Sequence, residues 1–226
     1  MLWDALSGSA VATSSRPAIV SDAATVSYAE LFANATALAD ALAAAGVGPG
    51  HVVLAYLDNA PAFLVALCAA AKLRAAFAPI DIGVTDTEAR ALIELAHSDL
   101  IVCDPTSLAR CATWSRNLVA VDPRGALVST SITALAPPSV DPGIGIMQFS
   151  SGTTGASKGI LLGHEALFYR ARYLANALGL HDSDRTLCTL PLSHTHGAEC
   201  LALPSLMTGG TLYLKSPKFA FPLYIL

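Results

Sequence analysis

"SSGTTGASKG", residues 150–159, places three glycines, five hydroxyl side chains and one lysine in ten positions of an otherwise apolar chain. Glycines let backbone amides approach a ligand that a Cβ would hold off, and successive amides in a turn form an anion-binding concavity. Gly152, Gly155 and Gly159 meet that need, Ser150, Ser151, Thr153 and Thr154 add compact donors, and Lys158 supplies positive charge. A hydrogen bond to a charged phosphate is worth roughly 1.5–3 kcal/mol, so the stretch predicts a polyphosphate site. It is not the pattern G-x-x-x-x-G-K-[ST], which needs glycine at 157 and Ser or Thr at 159, where this chain has Ser157 and Gly159. Composition alone also allows a plain glycine-rich surface turn.

Outward from this stretch, strand and helix patterns alternate. Ser27 and Glu30 form a capping box, and Leu31, Ala35, Leu38, Leu42 and Ala45 follow on one helical face, stopped by Gly46. Residues 51–58 read as an apolar strand. Asn59 and Pro61 predict a capped helix to about Lys72. Further strands are expected at 75–80, 100–103, 118–121, 144–149, 186–190 and 211–214. Helices are expected after the second capping box, Thr85 to Glu88, and over 164–178, while 130–142 reads as a surface connection. Strands apolar along their whole length predict an α/β fold of mostly parallel sheets flanked by helices.

The chain has 226 residues, 54% hydrophobic and only 13% charged. The usual charged share is about 25%, so much of this chain is expected to be covered by something, which need not be lipid. No run reaches the ~20 clean apolar residues of a membrane helix, and an early aspartate, Asp4, argues against a signal peptide. Five scattered cysteines without a C-x-x-C pair fit a reducing cytoplasm. A net charge of -4 offers no broad attraction to nucleic acid. A nicotinamide oxidoreductase fits the alternation, but Gly46-Val-Gly48-Pro-Gly50 does not complete the dinucleotide fingerprint.

Residues 149–160, Phe149 through Ile160, resemble the phosphate loop [YF]-[TS]-S-G-T-T-G-x-P-K-G-V of the adenylate-forming enzymes, which include acyl-CoA synthetases, luciferases and peptide-synthetase adenylation domains. Ser157 replaces the usual proline, which releases a fixed φ, and Ile160 replaces valine. The resemblance extends to V-S-Y-A-E-L at 26–31, to the turn, strand and N-x-P helix of 48–73, to L-R-A-A-F-A-P-I-D at 73–81, and to His164 after the loop. It covers nearly the whole chain and implies the N-terminal part of that fold, cut before a later sheet, barrel and C-terminal domain. The implied divisions are a first segment at 1–50, an α/β subdomain at 51–190 and the start of a second at 191–226.

Residues 191–197, P-L-S-H-T-H-G, are similar to the family's P-[LM]-[FY]-H-x-x-G. The resemblance implies that His194 acts at the carboxylate end of the substrate and that His196 and Gly197 line the acyl pocket, with Ser193 in place of an aromatic enlarging or wetting it. A rival reading makes His194, His196 and Glu199 metal ligands, because residues two apart in an extended segment face one side, but no third ligand is forced. His51, His97 and His181 have no supporting pattern. Glu165, Arg170 and Arg172 read as a solvated helix face.

In the resembling family a carboxylate oxygen attacks the α-phosphorus of ATP, pyrophosphate leaves, and a thiol then takes the acyl group from AMP. The protein positions the reactants and stabilises charge on the phosphoryl oxygens. The implied cofactors are ATP, Mg2+ held mainly by later residues, and coenzyme A or a carrier-protein thiol. The late motifs Y-G-x-[ST]-E and T-G-D do not occur here. The expected role is therefore part of an ATP-dependent acid:thiol ligase, inactive alone and completed by a C-terminal remainder or complementary chain. The alternative is a non-catalytic phosphate-binding or regulatory module. Exposed apolar faces and an open strand edge are expected to make the piece associate.

Overall fold

The computed structural model describes residues 2–151 and 157–215. In chain order the elements are α1 (Leu2–Thr13), β1 (Pro17–Ser21), β2 (Thr25–Ser27), α2 (Tyr28–Ala44), β3 (Val52–Tyr56), α3 (Pro61–Leu73), β4 (Ala76–Ile80), α4 (Asp86–Ala96), β5 (Leu100–Cys103) and α5 (Leu108–Cys111). Then come β6 (Asn117–Val121), β7 (Leu127–Ser131), β8 (Ile144–Ser151), β9 (Ser157–Gly163), α6 (His164–Ala177), β10 (Arg185–Cys188), a π-helix (His196–Ala202), α7 (Leu203–Met207) and β11 (Thr211–Leu214).

Two sheets organise the chain. The larger has the order β7-β6-β5-β3-β4-β8-β9, the smaller β10-β11-β1-β2. Strands β6, β5, β3, β4 and β8 pair in parallel, and β10, β11 and β1 do the same. Strands β3, β4, β5 and β6 are buried at every position, as strands covered by helices on both faces must be. The antiparallel members β7, β9 and β2 form three of the four sheet edges, and the parallel β10 forms the fourth.

Local chemistry sets the helix ends. At α2 and α4 the hydroxyls of Ser27 and Thr85 accept from the amides of Glu30 and Glu88 at 3.3 Å, and each carboxylate reaches back to the cap amide, as both capping boxes predict. Gly46, with φ 97°, stands just past the end of α2. Leu31, Ala35, Leu38 and Leu42 are fully buried, while Ala45 is the half-buried C-cap. Helix α3 is buried all round from Pro61 to Ala71, because it packs against α1, α2 and strands of both sheets. A helix enclosed on every side tolerates no polar face, which explains the run P-A-F-L-V-A-L-C-A-A-A. Phe63 and Phe77 meet edge to face at 5.1 Å in this layer.

Two expectations are corrected. Asn59 does not cap α3: its N-cap is Ala60, without a side-chain bond. The surface connection at 130–142 begins inside β7, whose five residues are all exposed; an edge strand with one neighbour carries no apolar signal. Between the glycine stretch and α6, β9 returns antiparallel along β8. The outer strands leave apolar side chains uncovered among the described residues, including Ile160 at 57% and Leu187 at 57% exposure.

Candidate functional site

Parallel strands place ligand sites outside their carboxyl ends, and both sequence motifs converge there. β8 runs beside β4 in the sheet and ends at Ser150 and Ser151. The antiparallel register sets Ser150 opposite Lys158, Ser151 opposite Ser157 and Phe149 opposite Gly159. Gly152, Thr153, Thr154 and Gly155 lie outside the described residues, as does the side chain of Ser151. Opposed residues of an antiparallel pair share a face, and so do residues two apart on one strand. Gln148, Ser150 and Lys158 therefore belong to one face of the sheet. Gly159 belongs to the other, where a Cβ on it would stand 3.4 Å from Met147. Lys158 is exposed.

The second motif is anchored to the carboxyl ends of β3 and β4. Leu192 N donates to Asn59 Oδ1 at 2.8 Å, and Asn59 Nδ2 donates to Leu190 O at 2.8 Å and Lys215 O at 3.4 Å. Ser193 Oγ donates to Asp81 Oδ2 at 2.9 Å. Ser193 thus serves as a tether into the sheet rather than as free space in a pocket wall. His194 and His196 are exposed. The His194 carbonyl accepts from the amides of Gly197 and Ala198 at 3.1 and 3.2 Å, which starts the π-helix. Gly197 has a steric reason to be glycine: a Cβ there would lie 2.3 Å from Pro191 O.

One turn further, Glu199 is buried. Its Oε1 accepts from Gln148 Nε2 at 3.3 Å, and its Oε2 forms an ion pair with Arg170 Nη1 of α6. Burial pushes its carboxyl above the ordinary carboxylate value, against the pull of Arg170 and Gln148. Arg170 is therefore an ion-pair partner, not part of a solvated helix face. Glu199 is committed to these partners, and among the described residues no group of three His, Cys, Asp or Glu is arranged to hold a metal ion.

Sequence reasoning missed Asn59, Asp81, Gln148 and Arg170 as parts of this region. Only Asn59 and Asp81 carried a local signal, and both were read by neighbouring chemistry, as a cap and as a strand end. The other two act across the fold, at separations of 51 and 29 positions from Glu199.

The family profile described as AMP-binding enzyme matches residues 6–224. Indoleacetate–CoA ligase of Aromatoleum aromaticum is 35% identical over 212 residues, covering 86% of this chain and 41% of the relative. Feruloyl-CoA synthase of an Amycolatopsis species is 32% identical over 196 residues, covering 84% and 39%. The crystal structure of ATP-bound MatB from Rhodopseudomonas palustris superposes with a TM-score of 0.76 at 26% identity, covering 99% of this chain and 47% of that one. The chain thus spans about two fifths of the length of these curated relatives. By the extent of the family match and by its sheets and helices, the chain belongs to the AMP-binding enzymes.

Proposed function

We propose that this chain supplies the phosphate-gripping loop and one wall of the acid site of an ATP-dependent acid:thiol ligase, which activates a carboxylic acid as acyl-AMP. One observation supports the reading: the strand that leads into the SSGTTGASKG loop and the tethered segment holding His194 both stand at the carboxyl ends of the parallel strands of the large sheet, at β8 and at β3 and β4. In this reading Ser150, Ser151, Gly152, Thr153, Thr154, Gly155, Lys158 and Gly159 hold the phosphates. His194 works at the substrate carboxylate, and His196 and Gly197 border the acyl pocket. A carboxylate oxygen bonds to the α-phosphorus as the bond to the β-phosphate oxygen breaks, and Lys158 offsets charge on the phosphates. Mg2+ and a coenzyme A or carrier-protein thiol complete the reactants, in a cytoplasmic setting. The remaining walls come from further polypeptide, as the length of the relatives suggests.

The test is acid-dependent pyrophosphate release and hydroxamate trapping of acyl-AMP, with ATP, Mg2+ and a panel including indole-3-acetate and ferulate. It is run on the chain alone and on a family-length protein containing it. Activity is expected in the longer protein only. Lys158→Ala is expected to lower the adenylation rate with less effect on acid affinity, and His194→Ala to alter the acid dependence. A family-length protein that binds ATP yet yields neither product with any acid overturns the ligase reading in favour of a phosphate-binding module.

A further inference from the structure

Glu199 is a carboxylate only 1% exposed to which the proposed chemistry gives no reactant. A buried carboxylate is costly unless paired, and replacing a buried ion pair with apolar groups is often neutral or stabilising. Net stability is therefore a poor reason for Glu199. What its bonds do fix is the relative placement of three elements: the π-helix that carries it, β8 through Gln148 at 3.3 Å, and α6 through Arg170.

Each arm leads straight to the site. Gln148 precedes Ser150 by two positions on the same face of β8, so a shift of one moves the other. On the other arm, the amides of Gly197 and Ala198 hold the His194 carbonyl at 3.1 and 3.2 Å, so the start of the π-helix and His194 move together. Adenylation is sensitive to such placement: reacting atoms must approach within about 3–3.5 Å in line, and a misplacement of about 1 Å costs on the order of 100-fold.

We propose that Glu199 is a positioning residue of the adenylation site, a three-way tie that sets the His194 segment against the strand delivering the phosphate loop. The inference rests on the function proposed above, but part of its test does not.

In the chain itself, amide hydrogen exchange followed by mass spectrometry compares the parent with Glu199→Gln and Gln148→Leu. Gln148→Leu leaves the Arg170 pair in place and carries the test if Glu199→Gln does not fold. Exchange is expected to rise about tenfold in both 144–149 and 190–203 while α2 and α3 stay unchanged. A rise confined to 196–202, an equal rise everywhere or no rise overturns the proposal. In a family-length protein active with ATP and indole-3-acetate or ferulate, the same variants are expected to lower kcat about 10- to 100-fold, with KM for ATP and acid each within threefold. A kcat within twofold of the parent, or a rise in KM alone, overturns it. If the parent turns over neither acid nor any other of the panel, the ligase reading fails and the exchange result alone decides whether Glu199 is a tie.

Discussion

Asn59 Oδ1 accepts the Leu192 amide at 2.8 Å across 133 positions of chain, and its amide nitrogen returns a bond to Leu190 O at 2.8 Å. One side chain at the mouth of α3 thus bonds a donor and an acceptor of the loop between β10 and the π-helix.

Replacing Asn59 with Ala leaves the Leu192 amide and the Leu190 carbonyl without this partner. The Leu190 carbonyl is exposed, so water can replace its bond, and the loss of the part-buried Leu192 bond costs about 0.5–1.5 kcal/mol. Urea unfolding of Asn59→Ala should show a lowered midpoint with an unchanged slope, and a variant as stable as the parent would mean that the loop is held by other contacts.

Gly197→Ala inserts a methyl 2.3 Å from Pro191 O and 2.8 Å from Pro191 C. The obstacle is backbone, which cannot swing aside as a long side chain can. Overpacking of this kind costs about 1–3 kcal/mol, and thermal melting should register a loss within that range. In the same experiment Gly179→Ala is a useful contrast, because nothing lies within 4 Å of its Cβ position and only its φ of 64° opposes the change.

Stability should depend on pH through Glu199. Its carboxyl sits above the ordinary value of 4.5 in the folded chain, chiefly through burial. The folded state therefore binds the proton more tightly than the unfolded state, and ionisation works against folding. As pH rises from about 4 through the folded carboxyl's own titration, the parent loses stability relative to Glu199→Gln. Arg170, Gln148, Thr195 and Cys200 surround the group and are the same in both proteins. Urea midpoints measured across that range should move in the variant's favour, and a constant difference would contradict the burial argument.

The cysteines should react unequally. Cys68, Cys103, Cys111 and Cys188 are buried, and only Cys200 is half-buried. Burial pushes the Cys68 thiol up to about 12 and raises that of Cys200 too, so access of the reagent rather than thiolate content singles out Cys200. Iodoacetamide at pH 8 should give one adduct on the native chain, at Cys200, with the other four modified only after unfolding. Labelling of Cys68 in the native chain would show that α3 opens.

Much of the fold was legible because its signals are local. Ser27 with Glu30 and Thr85 with Glu88 announce two helix starts within four residues each, and the doubly buried strands 52–56 and 100–103 are apolar throughout. β1, β2 and β9 were not legible. β1 has only Ala18 and Ile19 fully buried and opens on Pro17, β2 has three residues, and β9 reads as the tail of a glycine loop until its register with β8 is known. The site divides the same way. The two motifs proposed to face ligands are each contiguous in sequence, whereas the ties around them, Asn59 to Leu192, Ser193 to Asp81 and Glu199 to Gln148 and Arg170, join residues distant in sequence. No spacing rule reaches them.

The position of β1 has a consequence for how the protein is made. β1 lies between β2 and β11, pairing with the latter at Ile19 and Leu212, and Thr211 Oγ1 donates to Pro17 O across 194 positions. At a synthesis rate of about 5–20 residues per second, the first strand waits roughly 10–40 s for its neighbour to leave the ribosome. During that interval its apolar face and one row of its amides are open to other nascent chains, so yield in the cell should respond to chaperone supply more strongly than the melting temperature of the finished molecule would suggest.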